Sequence, residues 1–525
     1  MVKTRILLFF LLLGLVTNAQ NIEVSGIQSG FWEADTVFVT GNVVIQDSLY
    51  IHPGTTVVFQ DYYGLYVLNG ASFHAIGNEN DSILFTVIDT TGFHIYNSGR
   101  GGWNGIRAEM ASEVKLDYCR LQYGKAAKNE EQDGGALRIY NCYHVEIAHS
   151  TLSCNFSREH GGAMNAEHSS VTIHNCNVNN NVLRSEIDTI HFMYGGGLRF
   201  INCEVRLSDV TFRRNIGETA IGGALSLDSC SVNIERCIFE NNYGINGGGL
   251  YLIRSYYYPC VIANSLFAHN ISGHFGGGLA ISDSSPFISN LTVVGNHSYG
   301  VNCGGMFFYQ NSSPIVRNCI VYGNTNEVPI EEPVQIWSWT YDGDAPEFYN
   351  CLIQYGFDNI SNHEAITIYE GCLDVDPGFV NLENEDFHLA ANSPCIDAGL
   401  TYEGDFYGYD LDGNFRVSND QIDIGAYEFG FTGVQETAQS EGLVRIFGNP
   451  ITASSYVEIE TEQRGMMSAY VYSLDGKLLA NKNLGIVQKG INRFDIGEMF
   501  SSLCSGTYVV VFKTADQTFS TKAIK

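Results

Sequence analysis

Basic residues are scarce in this sequence. It contains 28 Lys plus Arg against 57 Asp plus Glu, which gives a formal net charge of −29. A surface with that charge repels phosphate backbones and anionic lipid headgroups, so we exclude nucleic acid as a partner. The same charge argues, with less force, against polyanionic substrates such as pectin or alginate.

The sequence also lacks long apolar runs beyond its first residues. The run at 6–16 follows two basic residues and precedes three small ones. It is too short to span a membrane and predicts an export signal over 1–19, cleaved between Ala19 and Gln20. We therefore expect an exported mature chain with no transmembrane span.

Helical periodicity is missing as well. Apolar and polar residues alternate instead, as in Val-Asn-Ile-Glu-Arg-Cys-Ile-Phe at 232–239, which is typical of strands. Gly (56), Tyr (30) and Phe (31) are abundant, which fits a β-rich fold and not a disordered chain. Because 525 residues exceed what one compact core usually holds, we expect several domains or a repeat array.

Two short motifs recur with one period. A Leu or Met follows a glycine-rich motif at 137, 164, 198, 225, 250, 279 and 306. An Asn follows an apolar run at 155, 181, 215, 242, 270, 296 and 324. Both spacings are near 27 residues and share one insertion, at 182–194. This period predicts a three-sided parallel β-solenoid whose coils stack on one another, with the insertion looping out of one coil.

The register assigns each motif a physical task. Phe212, Phe239 and Phe267 should stack inward as a ladder. The Asn residues should occupy a tight corner, where the side chain bonds to backbone and left-handed geometry is tolerated. The glycines should form a second corner, where a positive φ or close contact between coils leaves no room for a Cβ.

Eight of the fourteen cysteines fit two columns of this register, which they share with Ser, Val and Leu. They are Cys119, Cys142, Cys176, Cys203, Cys230, Cys237, Cys319 and Cys351. Such columns predict small inward side chains, here buried free thiols. Disulfides between stacked neighbours such as Cys203 and Cys230 are the alternative, because exported chains favour them. Outside the ladders we expect a bridge between Cys372 and Cys395.

Residues 20–130 are expected to form an N-terminal cap and the first coils. The segments IHPGTTVVF (51–59) and GGWNGIRA (101–108) resemble the N-terminal part of secreted right-handed parallel β-helix proteins. In those proteins a capping strand leads into the first coils. The resemblance implies a packing role for Trp103 and not a sugar-stacking one.

Residues 131–430 carry two further resemblances. The pairing of Gly-Gly-(Ala/Gly)-Leu with Phe-x-x-Asn over 134–324 resembles the polymorphic outer-membrane-protein repeat. That resemblance implies a β-helix displayed on a bacterial surface, often linked to adhesion, and carries over no catalytic residue. The segments DVDPGFVN (374–381) and IDIGAYEF (422–429) resemble the closing region of choice-of-anchor Q proteins, a family of unassigned activity.

Residues 443–525 follow a polar linker at 431–442 and alternate like the strands of a small β-sandwich. VYSLDGKLL (471–479) and CSGTYVVVF (504–512) resemble the type IX secretion C-terminal sorting domain, type A. This resemblance implies a Gram-negative bacterium and passage through the outer membrane by the type IX secretion machinery. The protein would then be attached to the cell surface or released.

Motifs for catalysis and metal binding are weak. Asp410, Asp412 and Asn414 resemble the start of a calcium loop, but Gln421 stands where a bidentate Glu is needed. We therefore expect no cofactor, with Ca²⁺ at these residues as the alternative. Carboxylates are scattered singly, which argues against the converging pair of a glycoside hydrolase. Five Arg meet six Asp or Glu over 195–240, a mixed face and not the basic groove of a polysaccharide lyase.

Candidate ligand-binding residues fall into four groups, the first of which is the 182–194 insertion. Aromatic rings on exposed loops can stack on sugars, and two such loops contain Tyr256, Tyr257 and Tyr258, and Trp337, Trp339 and Tyr341. Arg138 and Arg199 share an outward column, two coils and so about 10 Å apart.

The sequence therefore predicts an all-β, exported right-handed parallel β-helix followed by a small β-sandwich, acting as a monomer at a bacterial cell surface or outside the cell. Its expected role is non-catalytic binding of an extracellular glycan or another surface ligand. A polysaccharide lyase or glycoside hydrolase is the alternative. An outward groove with converging carboxylates would favour the enzyme, and a flat face lined by Asn, Ser and Thr would favour adhesion.

Overall fold

The chain divides into two compact units. The first contains residues up to Thr401 together with Asn419–Phe429, and the second contains Tyr402–Ser418 and Gly430–Lys525. The computed structural model describes residues 21–95, 97–127, 132–185, 193–300, 302–327, 332–340, 344–401, 408–414, 416, 421–429, 444–447, 451, 455–461, 464–473, 478–501, 503, 507–514 and 518–525.

The first unit is a parallel β-helix in which each coil crosses three faces, as the repeat predicts. Along every strand, alternate side chains point into the core and outward, because successive residues of a strand face opposite sides. The chain enters through Asn21–Trp32 and Thr36–Ile51, which pair in parallel. The second of these strands is long enough to supply one strand segment, which we call a rung, to each of the three faces.

Face 1 follows the glycine corner and continues through Leu65–Val67, Ile106–Glu109, Leu137–Tyr140, Met164–Glu167, Leu198–Ile201, Leu225–Asp228, Leu250–Ile253, Leu279–Ser282, Met306–Gln310 and Ile336–Thr340. Face 2 continues through Ser72–Ile76, Glu113–Asp117, Val145–Ala148, Ser170–Asn179, Glu204–Arg213, Ser231–Glu235, Cys260–Ala263, Phe287–Ser289, Ile315–Arg317, Glu347–Tyr349 and Tyr369–Glu370.

Face 3 contains Thr56–Phe59, Ile83–Val87, Cys119–Gln122, Thr151–Ser153, Ile238–Glu240, Leu266–Ala268, Thr292–Val294, Ile320–Tyr322 and Leu352–Ile353, together with the second halves of Ser170–Asn179 and Glu204–Arg213. A fourth row of short strands, absent from the three-sided prediction, lies between the asparagine and glycine corners. It contains Lys125–Ala126, Phe156–Ser157, Val182–Leu183, Ile216–Gly217, Tyr243–Asn246, Ile271–Phe275, His297–Ser298 and Thr325–Asn326. Beside it, Met193–Tyr194 pairs with Ala220–Ile221.

The inward aromatic ladder forms as predicted. Phe212, Phe239 and Phe267 are fully buried, and their rings stack at 4.7 and 4.5 Å with planes 4° apart. Trp103 is also fully buried and stacks on Phe59 at 4.3 Å. Its packing role is therefore confirmed.

The asparagine corner is a continuous hydrogen-bond ladder. Asn181 Oδ1 accepts from the backbone N–H and from Nδ2 of Asn155 in the preceding coil, both at 3.0 Å. Asn181 Nδ2 donates to the backbone carbonyl of Leu152 at 2.9 Å. The pattern repeats through the later coils until Gln335 Oε1 takes the asparagine's place and accepts from Asn324.

The left-handed residue at this corner is not the asparagine, which corrects the prediction. It is the residue directly before, with φ of +54° at Asn180, +54° at Arg214 and +55° at Asn241. The cysteine columns show the same offset, since Asn175 (+52°) precedes Cys176. The positive φ turns the chain at an outward residue, so that the next side chain points inward and can accept from the coil before it.

The glycine corner matches its prediction. Gly195 has φ +74°, in the left-handed region that favours glycine. A Cβ on the next residue, Gly196, would collide with the backbone carbonyl oxygen of Gly223 in the following coil.

Thirteen cysteines lie within the described residues, and all are free thiols, as the ladders predict. Cys176 Sγ accepts from the backbone N–H of Ser150 at 3.3 Å, and Cys230 Sγ accepts from that of Cys203 at 3.4 Å. Burial raises the pKa of the Cys176 thiol to about 12, which makes it unreactive at neutral pH.

The predicted bridge between Cys372 and Cys395 is wrong. Cys372 packs on the main core beside Cys351. Cys395 lies in a separate apolar cluster with Leu389 and Ile424. The two cysteines close different parts of the core, so neither is the other's partner.

The last coil leads into 3₁₀ turns at Phe357–Asn359, His363–Ala365 and Leu382–Asn384 and an antiparallel pair, Phe379–Asn381 with Asp386–Leu389. The second unit is the predicted small β-sandwich, whose two antiparallel sheets share one apolar core. One sheet contains Val444–Phe447, Tyr456–Thr461 and Gly490–Asp495, and the other contains Gly465–Ser473, Leu478–Val487, Thr507–Lys513 and Thr518–Ile524, with a 3₁₀ turn at Gly497–Phe500. Among the described residues, no helix has the length and apolarity needed to cross a membrane.

Replacing Asn242 by Ala should lower the free energy of unfolding by about 2–4 kcal/mol, because the Asn215 N–H and the Phe212 carbonyl lose their buried partner. Chemical denaturation followed by circular dichroism measures the loss. Asn233→Ala is the matched control, since Asn233 lies in the same coil with its side chain exposed. Equal stability of the two variants would contradict a stabilising ladder.

Alkylation of the native protein should modify, among the thirteen described cysteines, at most Cys154 and Cys372, which are half-buried, because the others are shielded in the core. All thirteen should react after denaturation without prior reduction. Peptide mass spectrometry measures both patterns. A ladder cysteine that reacts only after reduction would reveal a disulfide and contradict the free-thiol ladder.

Candidate functional site

The outward side chains of face 1 form a continuous column, which we call the floor. Strand register places Arg138 beside Asn165, then Arg199, and so on along the helix. The full floor is Arg107, Arg138, Asn165, Arg199, Ser226, Tyr251, Ala280, Phe307 and Trp337. Three of the predicted ligand-binding residues, Arg138, Arg199 and Trp337, therefore share one column.

A second column, which we call the wall, stands beside the floor. Each member directly precedes a glycine corner, and backbone hydrogen bonds join it to the next coil. The wall contains Asp133, His160, Tyr194, Ile221, Asn246 and Phe275. Floor and wall side chains meet, since the Arg199 guanidinium lies 5.6 Å from the centre of the Tyr194 ring and Phe275 stacks on Phe307 at 4.7 Å. Together they line a strip along face 1, which we call the groove; Asn165, Ser226 and Ala280 on its floor are fully buried.

The N-terminal part of the groove, from Arg107 to Ser226, is polar. Arg199 Nη1 donates to Asn165 Oδ1 at 3.2 Å and to Glu167 Oε1 at 3.4 Å. Asn165 Nδ2 donates to the same Glu167 oxygen at 3.0 Å. We call this part, with its wall residues, the polar half.

Two wall residues of the polar half have strongly shifted pKa values. Burial, aided by the negative charge of Glu159, raises the pKa of Asp133 to about 6, although Arg199 and Arg138 oppose the shift. Burial and the positive charge of Arg199 lower the pKa of His160 to about 3. The imidazole is therefore neutral at physiological pH, and Asp133 changes charge near pH 6.

Several buried polar atoms of the groove have no hydrogen-bond partner among the described residues. They are Asp133 Oδ1, His160 Nδ1 and Asn246 Oδ1 on the wall, and Arg199 Nε and Ser226 Oγ on the floor. An unsatisfied buried polar atom costs about 1–3 kcal/mol, so native proteins keep few of them away from water or ligand. Five such atoms lie in these two adjoining columns, where water or a polar ligand could supply the missing hydrogen bonds.

The C-terminal part of the groove is aromatic. Floor residues Tyr251 and Phe307 and wall residue Phe275 surround a cavity of about 160 Å³, with Tyr309 and Trp339 at its rim. Trp339 is 52 % exposed and meets Tyr309 edge to face at 5.7 Å. We call this part, from Tyr251 to Trp339, the aromatic half.

Trp337 and Trp339 lie on a strand and not on an exposed loop, which corrects the prediction. They belong to Ile336–Thr340, the last rung of face 1. The sequence hid this rung because Pro-Val-Gln at 333–335 replaces the glycines that mark the earlier corners. Tyr341, predicted beside them, lies outside the described residues.

The tyrosine loop lies apart from the floor and wall columns. Tyr256, Tyr257 and Tyr258 occupy the turn between faces 1 and 2, and Tyr257 is 91 % exposed. Of the 182–194 insertion, 182–185 and 193–194 are described, and Tyr194 contributes to the wall. The signal-cleavage residues Ala19 and Gln20 lie outside the described residues.

Sequence reasoning missed the wall. Its residues share one signal, which is that each directly precedes a glycine pair, as Asp133 precedes Gly134-Gly135. Their types vary from acidic to aromatic, so no residue motif connects them. The expectation that carboxylates lie scattered stays a prediction, although the charges of Glu159 and Glu167 both help to raise the pKa of Asp133.

Metal ligands do not cluster within the described residues, where no group of three or more His, Cys, Asp or Glu is arranged to hold an ion. At the calcium-like motif, Asp410 Oδ1 accepts from the backbone N–H groups of Asp412 at 3.0 Å and Asn414 at 2.6 Å. Asp410 Oδ2 accepts from Asn414 Nδ2 at 3.1 Å. These contacts describe a closed polar turn, and calcium binding there stays the untested alternative to the expectation of no cofactor.

Comparison with known families agrees with this architecture. A family model described as "Right handed beta helix region" matches residues 222–415. Together with the parallel stacking of strands, the match identifies the first unit as a right-handed parallel β-helix. No curated protein matches the chain.

Replacing Arg199 by Met should raise the pKa values of both His160 and Asp133. Removing the cation relieves the repulsion that keeps His160 neutral and removes the attraction that favours ionised Asp133. NMR titration of the imidazole and carboxyl carbons of selectively labelled protein measures both values. An unchanged His160 pKa would show that Arg199 does not act on the wall.

Proposed function

We propose that the protein binds a neutral extracellular glycan along the face 1 groove. The observation that supports this proposal is the set of buried polar atoms without hydrogen-bond partners among the described residues, which lie next to the exposed rings of the aromatic half. Sugar hydroxyls both donate and accept hydrogen bonds, and the groove offers a donor, Arg199 Nε of the polar half, and an acceptor, Asn246 Oδ1 beside the aromatic half. The aromatic half offers rings on which a sugar can stack.

Charge favours a neutral ligand over an acidic one. Arg199 pairs with Glu167, and Arg254 pairs with Asp228 at the edge of face 1. Arg138 has Tyr140 beneath its guanidinium at 5.8 Å. With Arg199 and Arg254 paired with carboxylates and a net charge of −29 on the whole chain, the groove lacks the field that concentrates a polyanion.

The length of the groove fits a chain-like ligand. Seven rung steps separate the strands of Arg138 and Trp337, which correspond to roughly 34 Å at the usual inter-strand spacing. An extended glycan could contact both halves at once, so that hydrogen bonds at one end and ring stacking at the other act on one molecule.

We also propose that the protein works outside a Gram-negative cell, either anchored to the surface or released. The export signal predicted over 1–19 and the resemblance of 443–525 to a type IX sorting domain support this location. The second unit has the small sandwich form that such a domain requires. Its partner for export would be the type IX secretion machinery.

Trp339→Ala should weaken binding of a neutral glycan by about 2 kcal/mol, roughly 30-fold, because the variant loses the most exposed ring of the aromatic half. A glycan array on the purified protein identifies the ligand, and calorimetry with that ligand measures the change.

Tyr257→Ala is the matched control, since it removes an aromatic ring outside the groove that is even more exposed than Trp339. Its affinity should equal that of the unmodified protein. A loss confined to Tyr257→Ala would move the site to the tyrosine loop, and no binding to any neutral glycan would overturn the proposal.

A further inference from the structure

The cavity of the aromatic half is apolar and uncharged. Five of the residues that line it are aromatic, two are aliphatic, and the other two are Asn246 and Ser282. None of these described residues carries a charge. An ionised group that entered the cavity would lose its water without meeting an opposite charge, which is costly. The lining therefore favours a neutral group.

Three of the rings form a row. Phe275 stacks on Phe307 at 4.7 Å with planes 22° apart, and Phe307 stacks on Tyr309 at 6.0 Å with planes 23° apart. Trp339 lies at the end of this row, with its plane at 72° to that of Tyr309. The cavity volume is about 160 Å³, and an apolar cavity of about 150 Å³ in another protein accepts a benzene ring. A small substituent therefore fits inside, while the body of a glycan stays outside.

Asn246 brings a hydrogen-bond acceptor to this apolar space. It stands on the wall and pairs with Phe275 of the next coil. Its Oδ1 is buried without a hydrogen-bond partner among the described residues. Because a buried acceptor is unfavourable until a donor reaches it, a substituent with an N–H beside its apolar part would be stabilised here.

Tyr251 brings a hydrogen-bond donor. It packs against the apolar cluster that contains Phe307, and its hydroxyl lies within hydrogen-bond reach of Ser282. Burial raises the pKa of the Tyr251 hydroxyl well above its ordinary value, so the hydroxyl keeps its proton at physiological pH. A protonated phenol can donate to a carbonyl oxygen.

An acetamido group has three parts that this lining complements. Its methyl group is apolar, its N–H donates, its carbonyl oxygen accepts, and it carries no charge. We infer that the groove selects glycans that contain N-acetylated amino sugars, with the acetyl group in the cavity of the aromatic half. The N–H then donates to Asn246 Oδ1, and the carbonyl oxygen accepts from the Tyr251 hydroxyl. This inference rests on the glycan binding proposed above and names the class of sugar.

Related sugars lack one or more of these parts. A sugar with a hydroxyl in place of the acetamido group leaves the apolar cavity unfilled. A free amino sugar carries an ammonium ion at neutral pH, which would be buried among uncharged side chains. A site that hydrogen-bonds and encloses a substituent discriminates against analogues without it by about 10-fold or more.

The test compares glycans that differ only in the substituent on one carbon of each sugar. Chito-oligosaccharides carry acetamido groups, cello-oligosaccharides of equal length carry hydroxyls, and fully deacetylated chito-oligosaccharides carry ammonium ions. A glycan array that contains these and other matched pairs is probed with the full purified protein, and calorimetry measures Kd for the pair that binds. The N-acetylated member should bind at least about 10-fold more tightly than its hydroxyl counterpart.

Asn246→Leu removes the acceptor while keeping the size of the side chain. It should weaken binding of the N-acetylated member about 10-fold and leave Kd for the hydroxyl counterpart unchanged. A purely structural role of Asn246 would weaken both equally. Tyr251→Phe, which removes only a hydroxyl, should act in the same direction. Asn233→Leu is the matched control, because the Asn233 side chain is exposed on face 2.

The outcomes separate this inference from the binding proposal. A preference for the acetamido group that Asn246→Leu abolishes and Asn233→Leu retains supports it. Equal binding of the matched members, or tighter binding of the deacetylated one, overturns the acetyl pocket and leaves glycan binding at the groove standing. Absence of binding to every neutral glycan overturns both. A preference that survives in Asn246→Leu and Tyr251→Phe overturns the assignment of these residues.

Discussion

The solenoid depends on hydrogen bonds that inward corner side chains make to the coil before them. At each corner the strand ladder is interrupted, and a buried backbone N–H would be left without an acceptor. Asn181 supplies that acceptor for Asn155, and Cys176 supplies it for Ser150. The left-handed residue before each of them turns the side chain inward. Stacking is therefore secured at the corners, and not by the strands alone.

Because the corners and the inward ladders stabilise the rod, the outward positions of face 1 are free to vary. Their composition changes from arginine and carboxylate near Arg138 to aromatic near Trp339. The wall adds a second column of side chains with the same spacing from coil to coil, since each wall residue directly precedes a corner glycine. A groove with graded chemistry thus requires no change in the architecture beneath it. Variation at two positions per coil is enough.

Much of the fold could be predicted from sequence because its determinants repeat. The Phe ladder and the cysteine columns follow from the spacing of Phe212, Phe239 and Phe267, since residues in one column must share one environment. The asparagine motif predicts a left-handed φ at the asparagine itself, whereas the structure has it at the residue before. That residue turns the chain so that the asparagine side chain points inward. Asn tolerates this geometry, yet at this corner its amide is needed inside the core.

The site was harder to predict than the fold. Arg138 and Arg199 were found because they share a position with respect to Leu137 and Leu198. The wall was missed because its residue types differ from coil to coil, so only the three-dimensional neighbourhood connects Asp133 with His160. The Trp337 rung was missed because its corner lacks glycine. The groove is formed by contacts between columns, which a one-dimensional repeat does not record.

The asparagine ladder also has a direction. Each side-chain oxygen accepts from the coil before it, and the amides of Asn324 find their acceptor on Gln335. A coil is therefore incomplete until the next one supplies its acceptor. A chain that emerges from its N-terminus first therefore carries one incomplete coil at its growing end, and the next coil completes it. Such growth needs no oxidant, since the cysteines within the described coils are free thiols.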